Sequence, residues 1–209
     1  NGGASFDTTL TRPLSPTGLE IGFPNALHLF QASVGGLISI WFTSDISRIY
    51  HSTNSGVAWD TNDFTPGNLE NYAVTFINAN TGFASGNLPF MTTNGGNTWI
   101  VQPNYPNFGI FYSFANTAGK VWYSSGPGIC VSTNNGVNFI PQYTNPQLEV
   151  YRHMSFVTSP NDNILSTVTG WAVTEDGSLS KYTETIGITP IGTIFPKSYF
   201  LHQNYPNPF

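Results

Sequence analysis

Thr92-Thr93-Asn94-Gly95-Gly96-Asn97-Thr98-Trp99 is the stretch on which the fold turns. Two other segments repeat it: Ser52-Thr53-Asn54-Ser55-Gly56-Val57-Ala58-Trp59 and Ser132-Thr133-Asn134-Asn135-Gly136-Val137-Asn138-Phe139. The shared pattern is Ser/Thr-x-Asn-x-Gly-x-x-aromatic, and Gly56, Gly96 and Gly136 stand at intervals of 40 residues. Asn1-Gly2-Gly3-Ala4-Ser5-Phe6 fits the last six positions, with Asn1, Gly3 and Phe6 in the fixed places. Its interval to the next copy is 53 residues, which puts an insertion at residues 10–25. A constant period of this length marks a repeat architecture, in which each copy is one supersecondary unit.

Each position in the motif has a physical role. The Ser/Thr ends a strand. The Asn side chain accepts from backbone N–H groups two residues on and fixes an Asx-type turn. The Gly takes a positive φ that a Cβ disfavours. The aromatic opens the next strand and packs inward. Alternating runs precede each turn: Ala73-Val74-Thr75-Phe76, Gly82-Phe83-Ala84-Ser85 and Pro89-Phe90-Met91-Thr92 in one unit. Tyr112-Ser113-Phe114, Lys120-Val121-Trp122-Tyr123 and Gly128-Ile129-Cys130-Val131 fill the same slots in the next. Four strands per unit of about 40 residues is the period of a propeller blade. The expected fold is all-β, a β-propeller of four-stranded antiparallel blades, with about four blades visible.

The last unit has strands at Met154-Ser155-Phe156, Gly170-Trp171-Ala172-Val173 and Ser178-Leu179-Ser180-Lys181-Tyr182, but no copy of the motif. Glu175-Asp176-Gly177-Ser178 reads as an ordinary hairpin turn. Two arrangements follow. A strand at residues 5–10 joins these three and closes a ring of about four blades, or further blades precede residue 1 and the ring has five to seven.

The motifs resemble the BNR or Asp-box repeat of sialidase-type propellers, and within them the photosystem-assembly-factor-like branch. The resemblance covers residues 1–183. The Asp usual in that family is Asn in every copy here, at Asn1, Asn54, Asn94 and Asn134. An amide holds a turn but is a poor ligand for a hard cation. The expected structural residues are therefore Asn1, Gly3, Phe6, Ser52, Asn54, Gly56, Trp59, Thr92, Asn94, Gly96, Thr98, Trp99, Ser132, Asn134, Gly136 and Phe139, with no metal, no cofactor and no catalysis assigned to them.

After residue 183 the composition shifts. Residues 184–198 read as an extended linker with Pro and Gly. Leu201-His202-Gln203-Asn204-Tyr205-Pro206-Asn207-Pro208-Phe209 follows. It closely resembles the opening of the type A C-terminal sorting domain of the type IX secretion system, where Leu-x-Gln-Asn-Tyr-Pro-Asn-Pro-Phe is a signature. Residues 199–209 thus read as the beginning of such a domain. The resemblance implies export by type IX machinery and a secreted or outer-membrane-surface location.

Composition agrees with that address and excludes several functions. Charged residues are 8 % of the chain, aromatics 15 %, and the net charge is -5. No basic cluster exists to neutralise phosphates, which argues against nucleic acid as a partner. No run is long and apolar enough for a transmembrane helix. Cys130 stands alone, in an apolar run, and reads as a small core residue.

The search for chemistry yields less. His28, His51, His153 and His202 lack metal-ligand spacing. Arg12, Arg48 and Arg152 invite comparison with the arginine triad of sialidases, but the context expected around each is missing. The acidic residues Asp45, Asp60, Asp63, Glu70, Glu149, Asp162, Glu175 and Asp176 fall mostly in expected turns, and no motif nominates a facing pair. Tyr105, Phe108, Phe111, Tyr143 and Tyr151 lie between blades among Pro and Asn, and make a candidate ligand face for protein or glycan. Three functions follow from this inventory: a non-catalytic propeller binding an envelope protein or glycan; a sialidase-like glycoside hydrolase with part of its machinery elsewhere; and a structural module of an adhesin or fibre.

Overall fold

In the computed structural model, residues 22–31, 36–46, 48–63, 73–160 and 165–187 are described, and all regular structure among them is β. The strands are β1 (Gly22–Gln31), β2 (Ile38–Ser44), β3 (Arg48–Ser52), β4 (Asp60–Asp63), β5 (Ala73–Phe76), β6 (Gly82–Ser85), β7 (Pro89–Thr92) and β8 (Ile100–Val101). They continue as β9 (Phe111–Thr117), β10 (Lys120–Ser125), β11 (Gly128–Ser132), β12 (Ile140–Thr144), β13 (Tyr151–Pro160), β14 (Leu165–Thr174) and β15 (Leu179–Gly187). Each consecutive group forms an antiparallel meander: β1–β4, β5–β8, β9–β12 and β13–β15, here blades A to D. A single parallel bridge, Asn25 to Ala73, joins the first strands of blades A and B.

The four sheets are arranged as the blades of a four-bladed β-propeller. Their first strands are the inner ones, β1 lying against β5, β5 against β9 and β9 against β13. Among the described residues, no contact of comparable extent joins blade D to blade A. Blade D has three strands among the described residues, as the sequence suggests. Its third strand, β15, runs to Gly187 and so takes in the start of the segment read as linker. The first motif copy, the insertion up to residue 21 and the sorting-signal residues 199–209 lie outside the described residues.

The apolar cores lie between blades, because alternation sends successive side chains to opposite faces of each sheet. Between A and B, Trp41 and Ile49 meet Val74, Phe76, Ala84 and Phe90. Between B and C, Ala73 and Phe83 meet Phe111, Phe114, Val121, Tyr123, Cys130 and Phe139. Between C and D, Trp122, Ile129 and Val131 meet Tyr151, Met154 and Ala172. Val74 and Ala73 are neighbours in β5 and belong to different cores, so blade B is glued on both sides. Cys130 is a fully buried core residue, and burial pushes its thiol up to about 11.

The three described motif copies sit between the third and fourth strands of their blades and share one hydrogen-bond pattern. The hydroxyl is the hub. Ser52 Oγ accepts from Gly56 N–H (2.9 Å) and Asn54 N–H (3.3 Å) and donates to Asn54 Oδ1 (2.9 Å). Thr92 and Ser132 repeat this with Gly96 and Asn94, and with Gly136 and Asn134. Here the structure corrects the expected reach of the Asn. Its Oδ1 accepts from the N–H four residues on, Ala58, Thr98 or Asn138, at 2.8–3.0 Å. Two residues on would end inside the loop; four on ties the loop to the start of the outer strand. The backbone is left-handed at both Gly136 (φ 81) and the residue before it, Asn135 (φ 56). The residue before the glycine is left-handed in all three copies, Ser55 (φ 59), Gly95 (φ 74) and Asn135 (φ 56), a conformation that Gly and Asn adopt most readily. The Gly177 turn joins β14 to β15, the second and third strands of its blade, so it is an ordinary hairpin turn and not a fourth described copy.

Candidate functional site

A register shared by all four blades locates the site. Trp41, Phe83 and Trp122 stand on the second strands, each paired with the residue just before the motif Ser/Thr: His51, Met91 and Val131. Each ring points at the following blade and is no more than 1 % exposed. Trp41 stacks on Phe76 (centroids 3.8 Å apart) and donates its indole N–H to the Gly95 carbonyl of the blade B turn (3.1 Å). Phe83 lies directly under Gly136 of the blade C turn and meets Phe139 edge-on. In both interfaces a turn backbone therefore closes over the ring.

The interface between C and D differs. Trp122 stacks on Phe156 (4.9 Å) and meets Tyr182 edge-on (4.9 Å), but its Nε1–H is buried without a hydrogen-bond partner. Beside it opens a cleft of about 400 Å³. Its walls come from β10 to β12 of blade C and β13 to β15 of blade D, and include Gln142, Tyr143, Trp171, Leu179, Ser180 and Lys181. An N–H shut away from water without an acceptor costs about 1–3 kcal/mol, so this one is a standing demand for an acceptor.

The cleft is aromatic, with Lys181 as the charged side chain among the residues that line it. Tyr151, itself fully buried, shares a hydrogen bond with Ser180 Oγ (2.6 Å). At one end Tyr182 donates to Glu184 Oε2 (2.8 Å), and Lys120 pairs with the same carboxylate (2.5 Å). Hydrogen bonding from Lys120 holds the Glu184 carboxyl below its ordinary range, while burial and then Glu184 push the Tyr182 hydroxyl up to about 12. The Lys181 ammonium lies 5.5 Å from the Trp171 ring centre. Trp171 holds the same register as Trp41, Phe83 and Trp122, yet is 47 % exposed.

The aromatic ligand face expected from the sequence is not assembled. Phe111 and Tyr151 are fully buried because they are the first residues of inner strands, where the pleat turns them into inter-blade cores. Tyr105 packs edge-on against Phe111 (5.5 Å). Phe108 covers Gly128 and keeps 37 % of its surface exposed. Only Tyr143, 44 % exposed, borders the cleft. Trp122, Gln142, Ser180 and Tyr182 were not nominated as site residues from sequence. The signal for them is the aromatic on the second strand, obscured because Trp41, Phe83 and Trp122 stand at unequal distances from their motif glycines.

Among the described residues the charged side chains do not converge on a centre. Arg152 bonds Glu175 (2.8 Å) and lies over the Tyr112 ring (4.1 Å), while Arg48 sits in β3 and Arg12 lies outside the described residues. Asp176 caps its own turn by accepting from Thr174 Oγ1 (2.6 Å) and Ser178 N–H (2.9 Å). His51 stacks on Trp41 (4.5 Å) and His28 meets the same ring at 6.3 Å. Burial pulls His51 and His153 below the usual imidazole range, and His28 down to about 4. Among the described residues, no three His, Cys, Asp or Glu side chains come together as a metal site.

Solved structures with the same fold put this geometry in context. The chain is similar to YCF48 bound to a D1 peptide (18 % identity, TM-score 0.52, 79 % of this chain and 57 % of that one). It is also similar to the computationally designed Ika4 protein (13 %, TM-score 0.53, 76 % and 89 %). An ancestral GH74 enzyme is a third (14 %, TM-score 0.51, 84 % and 33 %). The chain thus spans little more than half the length of the YCF48 chain. No protein-family model matches it, and no curated protein does. At these identities the likeness establishes the fold: the chain is a β-propeller.

Proposed function

We propose that this protein is an exported, non-catalytic propeller of the Asp-box type whose task is to bind another envelope or extracellular protein. The observation that carries this reading is the cleft between blades C and D, with its aromatic walls, neutral polar groups and one buried donor lacking an acceptor. Such a site suits recognition, since apolar walls supply affinity and a few placed polar groups fix orientation. The acidic groups Glu184, Glu175 and Asp176 are engaged in pairs or turns. YCF48, which shares the fold, has been solved with a peptide bound. The repeated hydroxyl–Asn–Gly turn supports assignment to the Asp-box class. The residues from Leu201 to Phe209 support export by type IX machinery.

Two experiments test the reading. Whole cells probed with external protease and antibody should expose the protein, and a strain lacking type IX machinery should retain it inside; equal exposure in both strains removes the export assignment. The purified protein, immobilised and challenged with envelope and secreted proteins, should capture a ligand with an affinity that falls when Tyr143→Ala opens the cleft rim. Binding unchanged by that substitution moves the site elsewhere on the propeller.

A further inference from the structure

We infer that residues 1–9 of this chain seat on the edge of β15 as the fourth strand of blade D, with the Gly2 carbonyl on the Trp122 N–H, and that a ligand of the cleft binds by displacing them. The displacement rests on the protein-binding reading above; the seat itself does not. Three observations converge on the seat.

The first is the unmet donor. Trp41 and Trp122 hold the same register position. The Trp41 N–H reaches Gly95 O in the turn of the following blade, while the Trp122 N–H, on a residue 1 % exposed, has no partner. In the motif copy Asn1-Gly2-Gly3, Gly2 holds the place of Gly95. Gly3 holds that of Gly96 and Gly136, which lie against Trp41 and Phe83. The turn that closes over Trp41 thus has its counterpart for Trp122 within this chain. The second is the sheet edge. In blades A, B and C the third strand is flanked by a fourth, whereas among the described residues β15 pairs only with β14. An open edge offers N–H and C=O groups to an added strand. The third is the pairing register, which sets one charge against another. In blades A, B and C the residue after the motif aromatic pairs with the third-strand residue before the motif hydroxyl: Asp60 with His51, Ile100 with Met91, Ile140 with Val131. Those third-strand residues pair in turn with Trp41, Phe83 and Trp122. In blade D the residue in that register is Trp171, and it pairs with Lys181. The residue after Phe6 is Asp7. The shared register therefore sets Asp7 directly opposite Lys181, where opposite charges on one face attract. It also gives Phe6 the place of Trp99 and Phe139, which pack into the interface with the preceding blade, so Phe6 enters the aromatic wall of the cleft beside Trp122. The Trp122 N–H serves one acceptor at a time, so a ligand that takes it must release Gly2.

Asp7→Cys combined with Lys181→Cys in the full chain tests the seat. Directly opposed residues of antiparallel strands lie about 4.5–5.5 Å apart at Cα, within reach of a disulfide. Oxidised glutathione should close a bridge between positions 7 and 181 within one chain, mapped by mass spectrometry of the unreduced peptides. Asp7→Cys with Thr185→Cys, on the same face of β15 but off the register, should not close. Cys130, fully buried, stays out of the exchange. Asp7→Lys sets like charges opposite each other and should speed amide exchange along the β15 edge about two- to fivefold, and adding Lys181→Asp should restore it. Three results overturn the seat: no bridge; a bridge that forms as well off the register; or a charge swap that fails to restore exchange. Each leaves the binding reading standing, because ligand capture is measured apart from them. A protein ligand captured by the reduced double-cysteine protein should lose affinity for the bridged form and regain it on reduction. Equal binding to both forms overturns the displacement. If the bridge forms and neither form captures a ligand, the seat stands and the binding reading falls.

Discussion

Replacing Ser132 by alanine removes the hub of the blade C turn and tests the account of how these turns are held. The hydroxyl is 1 % exposed and accepts from Gly136 N–H at 2.8 Å and Asn134 N–H at 3.3 Å. Without it the Gly136 N–H is left in a dry environment with no acceptor, a penalty of about 1–3 kcal/mol. Asn134 Oδ1 also loses its hydroxyl donor, but keeps the Asn138 N–H at 3.0 Å. The expected cost is about 2 kcal/mol, roughly a thirtyfold rise in the unfolded fraction, at ~1.4 kcal/mol per factor of ten. Asn134→Ala breaks the bond to Asn138, an exposed N–H that water can satisfy, and should cost only about 0.5–1 kcal/mol. Ser132→Thr should be nearly silent, because Thr92 fills the same role in blade B with the same partners. Equilibrium urea unfolding, with the slope unchanged between variants, reads all three. If Ser132→Ala costs no more than Asn134→Ala, the hydroxyl is not the hub and the reasoning fails.

Other expectations can be checked by the same route. Gly136→Ala places a methyl group against the Phe83 ring at a residue with φ 81, and should cost about 3 kcal/mol or more, seen as a lower Tm; a shift under a degree would contradict the packing. Trp41→Ala should cost about 3–5 kcal/mol, while Trp171→Ala, in the same register but half-exposed, should cost about 1 kcal/mol or less; equal losses would mean that something covers Trp171. Burial lowers the folded-state pKa of His28 to about 4, so its unfolded form binds the extra proton first. Stability should therefore be full above about pH 6.5 and fall as pH drops toward 4, and His28→Gln should flatten that slope in unfolding curves.

What could be read from sequence was local. The turns were legible because positive φ at glycine, a hydroxyl and an amide leave a fixed imprint on neighbouring positions, and the strands before them because alternation needs only a few residues. The bounds of β5, β6 and β7 follow directly from Ala73-Val74-Thr75-Phe76, Gly82-Phe83-Ala84-Ser85 and Pro89-Phe90-Met91-Thr92. What could not be read was which face of a strand meets which blade. Phe111 and Tyr151 sit among Pro and Asn like surface aromatics, but the neighbouring blade buries them completely. Trp122 and Trp171 are both strand aromatics in equivalent places. Only the packing of whole blades makes one a core residue and leaves the other half-exposed.

The most direct test of the central claim, that the cleft between blades C and D is where this propeller binds, is site-specific photo-crosslinking in the native envelope. A photoreactive phenylalanine placed at Tyr143 is compared with one at Val57, an exposed position on a turn far along the chain. The account predicts crosslinks from position 143 to one segment of a single protein, mapped to its residues by mass spectrometry, and lost when Trp122→Phe is added. Crosslinks no richer or more specific than those from position 57 would contradict it.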